Sequence, residues 1–174
     1  MAKFTKLNIG DTVASSDNSK LASVIDGTIT ELVIPEGITT IRRNALWGCS
    51  SLTSIVIPDS VTSIGTDAFS GCHMIQSATL PAFAIPRITE IAANNIKRAV
   101  ITSGESISAS AFSNCSFLES VFIPVSVTSI GTMAFWFCSA LADVYYEGTE
   151  EEWAAVEGTN QLPTNATIHY NATR

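Results

Sequence analysis

The chain is predicted to fold as a repeat solenoid of the α/β class, on three observations. Ser54 to Cys72, SIVIPDSVTSIGTDAFSGC, returns sixty-six residues later as Ser120 to Cys138, SVFIPVSVTSIGTMAFWFC, with thirteen of nineteen positions identical. Short apolar strands start at Leu32, Ile55, Ala78, Ala99, Val121 and Val144, at steps of 23, 23, 21, 22 and 23 residues. One such unit cannot bury its own apolar face, whereas stacked copies cover one another.

Each element of a unit has a physical reason. In Leu52 to Cys72 the strand comes first. Leu52, Ile55 and Ile57 point one way and Val56 the other, by the period of two. Pro58 ends the strand because it has no N–H to give to a ladder. SVTSIG is a second extended piece, with Val61 and Ile64 inward and Gly65 expected to permit a tight turn. TDAFSGC is expected to make one helical turn, with Thr66 as its cap and Ala68, Phe69 and Cys72 on the inner side.

The pattern L-x-x-I-x-I-P-x-S-V-T-x-I-G-x-x-A-F-x-x-C resembles the BspA-type leucine-rich repeat. It stands almost whole at Leu52 to Cys72 and Leu118 to Cys138, and more loosely at Ile29 to Cys49, where Leu46 replaces the phenylalanine. The resemblance covers residues 29–148, and the repeat length lies within the roughly 20–29 residues of leucine-rich repeats. It implies a right-handed superhelix with a concave parallel β-sheet and short helical or irregular convex segments. It also implies display at the cell surface, or secretion, and adhesion to proteins or glycans. Pro81 to Ile101 departs from the pattern: Ala92 and Ala93 stand for Ala-Phe, Ile96 for the cysteine, and Pro86 breaks the extended piece. Such a repeat is either a degenerate copy or a local bend that shapes a binding surface.

Both ends of the array need cover. Residues 1–28 read as a lead-in, with Phe4, Leu7, Ile9 and Val13 in one strand or an irregular cover, a loop at Ser15 to Lys20, and a partial repeat from Leu21. Repeats of 21–23 residues fill 29–148, and 149–174 form a capping helix and a last strand. Thr149 and Glu152 have capping-box spacing, Glu150, Glu151 and Glu152 suit a helix start, and Trp153 and Val156 share a face. In the last strand Ile168 and Tyr170 should point inward, one residue out of the regular step.

Composition narrows the function. Of 174 residues 46% are hydrophobic and only 14% charged, which supplies a core. A net charge of -7 makes the chain a poor phosphate binder, so nucleic acid is not expected as a partner. No apolar run reaches the roughly 18 residues of a membrane helix, so insertion is not expected either. The N-terminal twenty residues lack the apolar core of a signal peptide; the chain is not secreted by that route, or a signal has been removed. Cys49, Cys72, Cys115 and Cys138 lie 23, 43 and 23 residues apart, at one position of the repeat. That spacing suits neither zinc nor a disulfide, and reads as a small buried hydrophobe. His73 and His169 stand about 20 Å apart on stacked strands, too far to share a proton. No nucleotide-binding or hydrolase motif appears, and no enzyme, metal or cofactor is expected.

What remains is a surface. The outward middle positions of the strands are Val33, Val56, Thr79, Val100, Phe122 and Tyr145, a mostly apolar stripe ending in aromatics. Beside it run Glu31, Ser54, Ser77, Arg98, Ser120 and Asp143, then Thr30, Thr53, Gln76, Lys97, Glu119 and Ala142. Lys97 and Arg98 form a basic spot, either part of a patch or paired with Glu119 across strands. The expected ligand-binding residues are Val56, Lys97, Arg98, Val100, Glu119, Phe122, Asp143 and Tyr145. The expected function is a non-enzymatic binding or adhesion module that takes a protein or glycan on the concave face. A structural or accessory assembly component of phage or prophage type, or an intracellular protein-interaction scaffold, is the alternative.

Overall fold

In the computed structural model each repeat opens with a short strand, and these strands form one parallel sheet. The structure describes Lys6–Asn8 and residues 29–174; the expectations for the rest of 1–28 fall outside them. The sheet strands are β1 (Lys6–Asn8), β2 (Glu31–Val33), β4 (Ser54–Val56), β6 (Ser77–Leu80), β7 (Arg98–Ile101), β9 (Ser120–Ile123), β11 (Asp143–Tyr146) and β12 (Thr167–His169). They pair in that order, eight strands among the described residues. Leu32, Ile55, Ala78, Ala99, Val121, Val144 and Ile168 occupy one row, each in register with the next. The last step, from Val144 to Ile168, is one residue longer than the regular 23, as the alternation predicted.

A second ladder lies beyond the sheet strands. β3 (Thr40–Ile41) pairs with β5 (Ser63–Ile64), and β8 (Ser106–Ile107) with β10 (Ser129–Ile130), again in parallel. The recurring Ser and Thr of SVT tie this ladder together. Ser60 Oγ donates to Ile38 O at 3.0 Å and Ser126 Oγ to Gly104 O at 3.1 Å, one repeat back. Thr62 and Thr128 do the same to Thr39 O and Glu105 O. The serine hydroxyls satisfy Ile38 O and Gly104 O, while the threonine hydroxyls add to backbone bonds that Thr39 O and Glu105 O already accept.

The glycine closing the second ladder has a different role from the one expected. Gly65 and Gly131 have no left-handed φ; each lies against the backbone of the preceding repeat. A Cβ on Gly131 would stand 2.5 Å from Ala109 N. The residue is small because two backbones approach each other, not because the chain turns sharply.

The expected helical turn is replaced by a tight turn with two left-handed residues. They fall at Asn44 and Gly48, Asp67 and Gly71, Ser110 and Asn114, and Met133 and Phe137. Residues in αL interrupt a helix, and the N–H groups thereby freed bond the neighbouring repeat. Asn44, Leu46 and Gly48 N–H donate to Thr66, Ala68 and Ser70 O at 3.3, 2.8 and 2.7 Å. Thr66 thus supplies its carbonyl to the stack rather than a cap. Ala68, Phe69 and Cys72 are buried as expected, each with 2% exposure or less.

The irregular repeat contains a true helix, α1 (Ile85–Ala92), entered through a 3-10 turn at Ala82–Ala84. Pro86 lies in its first turn, where a missing N–H costs no helical bond. Ile85, Ile88, Thr89 and Ala92 form its buried stripe at helical spacing. Thr89 Oγ1 donates to Ala111 O at 2.7 Å, so the buried hydroxyl is satisfied. A helix is wider than a turn, and the sheet makes room: Ala78 and Ala99 stand opposite Ile85 and Ile88, where flanking repeats carry Ile55 and Val121. The second ladder is interrupted here, which leaves it as two separate pairs. Asp59 spans the gap, its Oδ1 accepting from Thr102 Oγ1 at 2.5 Å and Ser103 Oγ at 2.7 Å.

At the C-terminal end α2 (Glu150–Ala154) starts on a complete capping box. Thr149 N–H donates to Glu152 Oε2 at 2.8 Å, and Glu152 N–H to Thr149 Oγ1 at 3.2 Å. Trp153 and Val156 are buried in the core, with the Trp153 ring 4.9 Å from that of Tyr146.

Candidate functional site

The concave sheet presents its outward side chains in rows set by the register. The middle row is Val33, Val56, Thr79, Val100, Phe122, Tyr145 and His169. Val56 and Val100 are half-buried. From Phe122 onward the row becomes aromatic, and the geometry becomes specific.

Three side chains near this end lock together. Asp143 and Tyr145 lie on the same face of β11, two residues apart, and His169 stands in register with Tyr145. His169 Nε2 is 2.7 Å from Asp143 Oδ1. The imidazole stacks on the Tyr145 ring at 4.7 Å between centroids, with 17° between planes. Both members of the His169–Asp143 pair are about two-fifths exposed, so the contact adds only about 0–1 kcal/mol. Its effect is orientation: the Tyr145 ring, 38% exposed, is held in a fixed pose beside a carboxylate.

Phe122 faces the same side but is not open. It is 5% exposed, yet it stands outside the core cluster. The cover is the C-terminal strap: Asn171 and Ala172 N–H bond Gly148 O and Tyr146 O at 2.8 and 3.0 Å, turning the chain back over the sheet. The Arg174 guanidinium then sits 5.7 Å from the Phe122 ring centroid and donates to Thr102 O at 2.7 Å. The outward position was correct for Phe122 and its exposure was not, because strand alternation carries no information about a segment that folds back from fifty residues downstream.

Lys97 and Arg98 are exposed, as is Glu119. Among the described residues no ion pair joins either base to Glu119, so the cross-strand pairing considered from the sequence does not form. Lys97, Arg98 and Arg174 together put three of the nine basic side chains on this half of the sheet. His169 and Arg174 are the two contributors that sequence reasoning missed. The alternation that turned Ile168 inward also turned His169 outward, in line with Tyr145; Arg174 had no such signal.

The cysteines lie on the other side of the molecule's chemistry. All four are free and buried. Cys138 Sγ donates to Phe112 O at 3.1 Å, and Cys72 Sγ to Leu46 O at the same distance. Burial, with the charge of Cys138 nearby, pushes the Cys115 thiol up to about 12, and burial pushes Cys138 up to about 12. Neither is a nucleophile at neutral pH.

A stack of parallel strands, repeating ladders and a filled core defines a leucine-rich repeat solenoid, an architecture that uses extended concave surfaces for binding. The chain belongs to the BspA type leucine rich repeat family, whose model matches residues 25–142 in six copies. It is similar to a leucine rich cell surface protein from Faecalibacterium prausnitzii A2-165, with 34% identity, a TM-score of 0.54, and coverage of 74% of this chain and 35% of that one. A leucine rich repeat protein of T. pallidum is 27% identical over 67% of this chain and 58% of its own, with a TM-score of 0.44. One from Bacteroides ovatus ATCC 8483 is 22% identical over 83% of this chain and 30% of its own, with a TM-score of 0.41. The chain spans about a third of the length of the Faecalibacterium protein. No curated protein matches it. Among the described residues no helix is long and apolar enough to cross a membrane.

Proposed function

We propose that this chain is a non-enzymatic adhesion module that takes a protein or glycan ligand on its concave sheet, centred on Tyr145. The observation that carries this reading is the fixed trio of Asp143, Tyr145 and His169. A rigid, partly exposed aromatic beside a carboxylate loses little side-chain freedom on binding, which is the property of an interface anchor. The half-buried Val56 and Val100 extend the apolar floor, and Lys97, Arg98 and Glu119 supply a charged rim. Phe122 stands between Val100 and Tyr145 in the same row, covered by the strap that carries Arg174. The similarity to a cell surface protein supports display outside the cell.

The test is a matrix-protein and glycan array probed with the wild-type chain, then with Tyr145→Ala and with Lys97→Glu/Arg98→Glu. Tyr145 is partly exposed and its removal leaves the core intact, so these variants should fold. Loss of at least about tenfold in affinity for the array hit is expected. Unchanged binding by both folded variants would remove the concave face from consideration.

A further inference from the structure

The left-handed turn positions obey a rule in three repeats and break it in one. The first position holds Asn44, Asp67 and Ser110, and the second Gly48, Gly71 and Asn114, the small polar residues and glycine that tolerate αL. In the fourth such turn the positions hold Met133 at φ 57 and Phe137 at φ 59. Nothing in the core calls for them: Met133 is 49% exposed, Phe137 65% and the intervening Trp136 51%. Two large apolar side chains, Met133 and Phe137, are thus held in water on a backbone conformation they disfavour, with the exposed Trp136 between them. Where a repeat abandons a local rule without a packing gain, the residues serve something else.

The turn also forms one wall of a groove of about 360 Å³, within the ~300–1,000 Å³ of small-ligand sites. The Trp136 and Phe137 rings meet edge to face, 4.9 Å between centroids and 69° between planes, so the platform is stiff. The opposite wall is Asn160 to Thr164, and the two are tied by Met133 N–H donating to Gln161 Oε1 at 2.8 Å. No acidic or basic side chain lines the groove, in a chain with sixteen acidic residues. The lining joins the aromatic Trp136 and Phe137 and the apolar Met133, Leu162 and Pro163 to the amides and hydroxyls of Asn160, Gln161, Thr164 and Ser139.

We propose that this groove is a second binding site, on the convex turn, for a neutral glycan. An uncharged sugar ring offers a C–H face to the negative faces of aromatic rings and hydroxyls to amides, with no charge for the protein to match. An anionic sugar finds no cation here, and an acidic or basic peptide finds no counter-charge. The site is separate from the concave face and does not depend on the reading given for Tyr145.

Calorimetric titration with neutral tetrasaccharides of glucose, galactose and mannose, alongside sialylated counterparts, tests this. At least one neutral series should bind the wild-type chain, and Trp136→Ala should weaken it at least about tenfold. Phe137→Gly separates site from scaffold: it should raise the melting temperature by about 2–4 °C, because strain is relieved, while weakening the sugar. Tyr145→Ala should leave this binding unchanged. Absence of any neutral-sugar binding, binding of the sialylated series alone, or retained affinity in both Trp136→Ala and Phe137→Gly would overturn the proposal.

Discussion

Replacing Gly131 by alanine tests the packing of the array through the sign of one stability change. Its φ lies outside the left-handed region, so the backbone accepts an alanine there. With free space around it, Gly131→Ala would stabilise by about 0.4–1 kcal/mol, since alanine leaves the unfolded chain fewer conformations. The structure predicts the opposite. The added methyl would stand 2.5 Å from Ala109 N and 2.9 Å from Ala109 Cα, both backbone atoms that cannot swing aside. Relief requires the two repeats to separate, and the bond from Gly131 N–H to Ile107 O, 2.8 Å long, would stretch with them. Overpacking costs about 1–3 kcal/mol and the weakened bond about 1. After the entropic gain the net loss is about 1–3 kcal/mol. With an m value of about 2 kcal/mol/M, the urea midpoint should fall by about 0.5–1.5 M. Gly65→Ala should behave alike, because its methyl would meet Arg42 and Arg43 backbone. An unchanged or raised midpoint for Gly131→Ala would refute the close-approach account.

Trp153→Ala should destabilise by about 3–5 kcal/mol in urea unfolding, since the ring closes the core against Tyr146. Thr149→Ala removes one half of the capping box and should cost about 1 kcal/mol, with faster amide exchange confined to α2. The buried thiols make the chain alkali-sensitive: Cys115 and Cys138 titrate from 9.0 unfolded and about 12 folded, so their contribution is complete below about pH 9. It is lost as pH rises from about 9 towards 12, because only the unfolded chain ionises in that window. Melting temperatures measured from pH 8 to 11 should fall accordingly, and a flat profile would contradict the burial of these thiols.

The rows of the sheet were legible because strand alternation and a regular step fix them without reference to anything distant. The same logic turned His169 outward, although the trio it forms with Tyr145 and Asp143 shows only when the strands are laid side by side. The helix α1 was hidden for a different reason. Against the repeat template Pro81 to Ile101 reads as a damaged copy, yet Ile85, Ile88, Thr89 and Ala92 carry a helical stripe of their own. The short turns went the other way. TDAFSGC has the residues of a helical turn, and only the bonds each turn gives to its neighbour favour αL over continued helix. The covering of Phe122 by Arg174 could not be read at all, since it depends on where the chain travels after the last strand.

Asp59 bears on how such an array can change in length. Arrays lengthen when a genetic duplication inserts a copy, and at a regular joint an inserted unit meets matching ladders above and below. The joint at α1 is different. The carboxylate of Asp59 reaches past its immediate neighbour to Thr102 and Ser103, more than forty residues on. A unit inserted between them would carry the hydroxyls out of reach and leave the gap beside the helix unbridged. The irregular repeat therefore fixes the number of units between Asp59 and its partners, while the regular joints on either side remain free to vary.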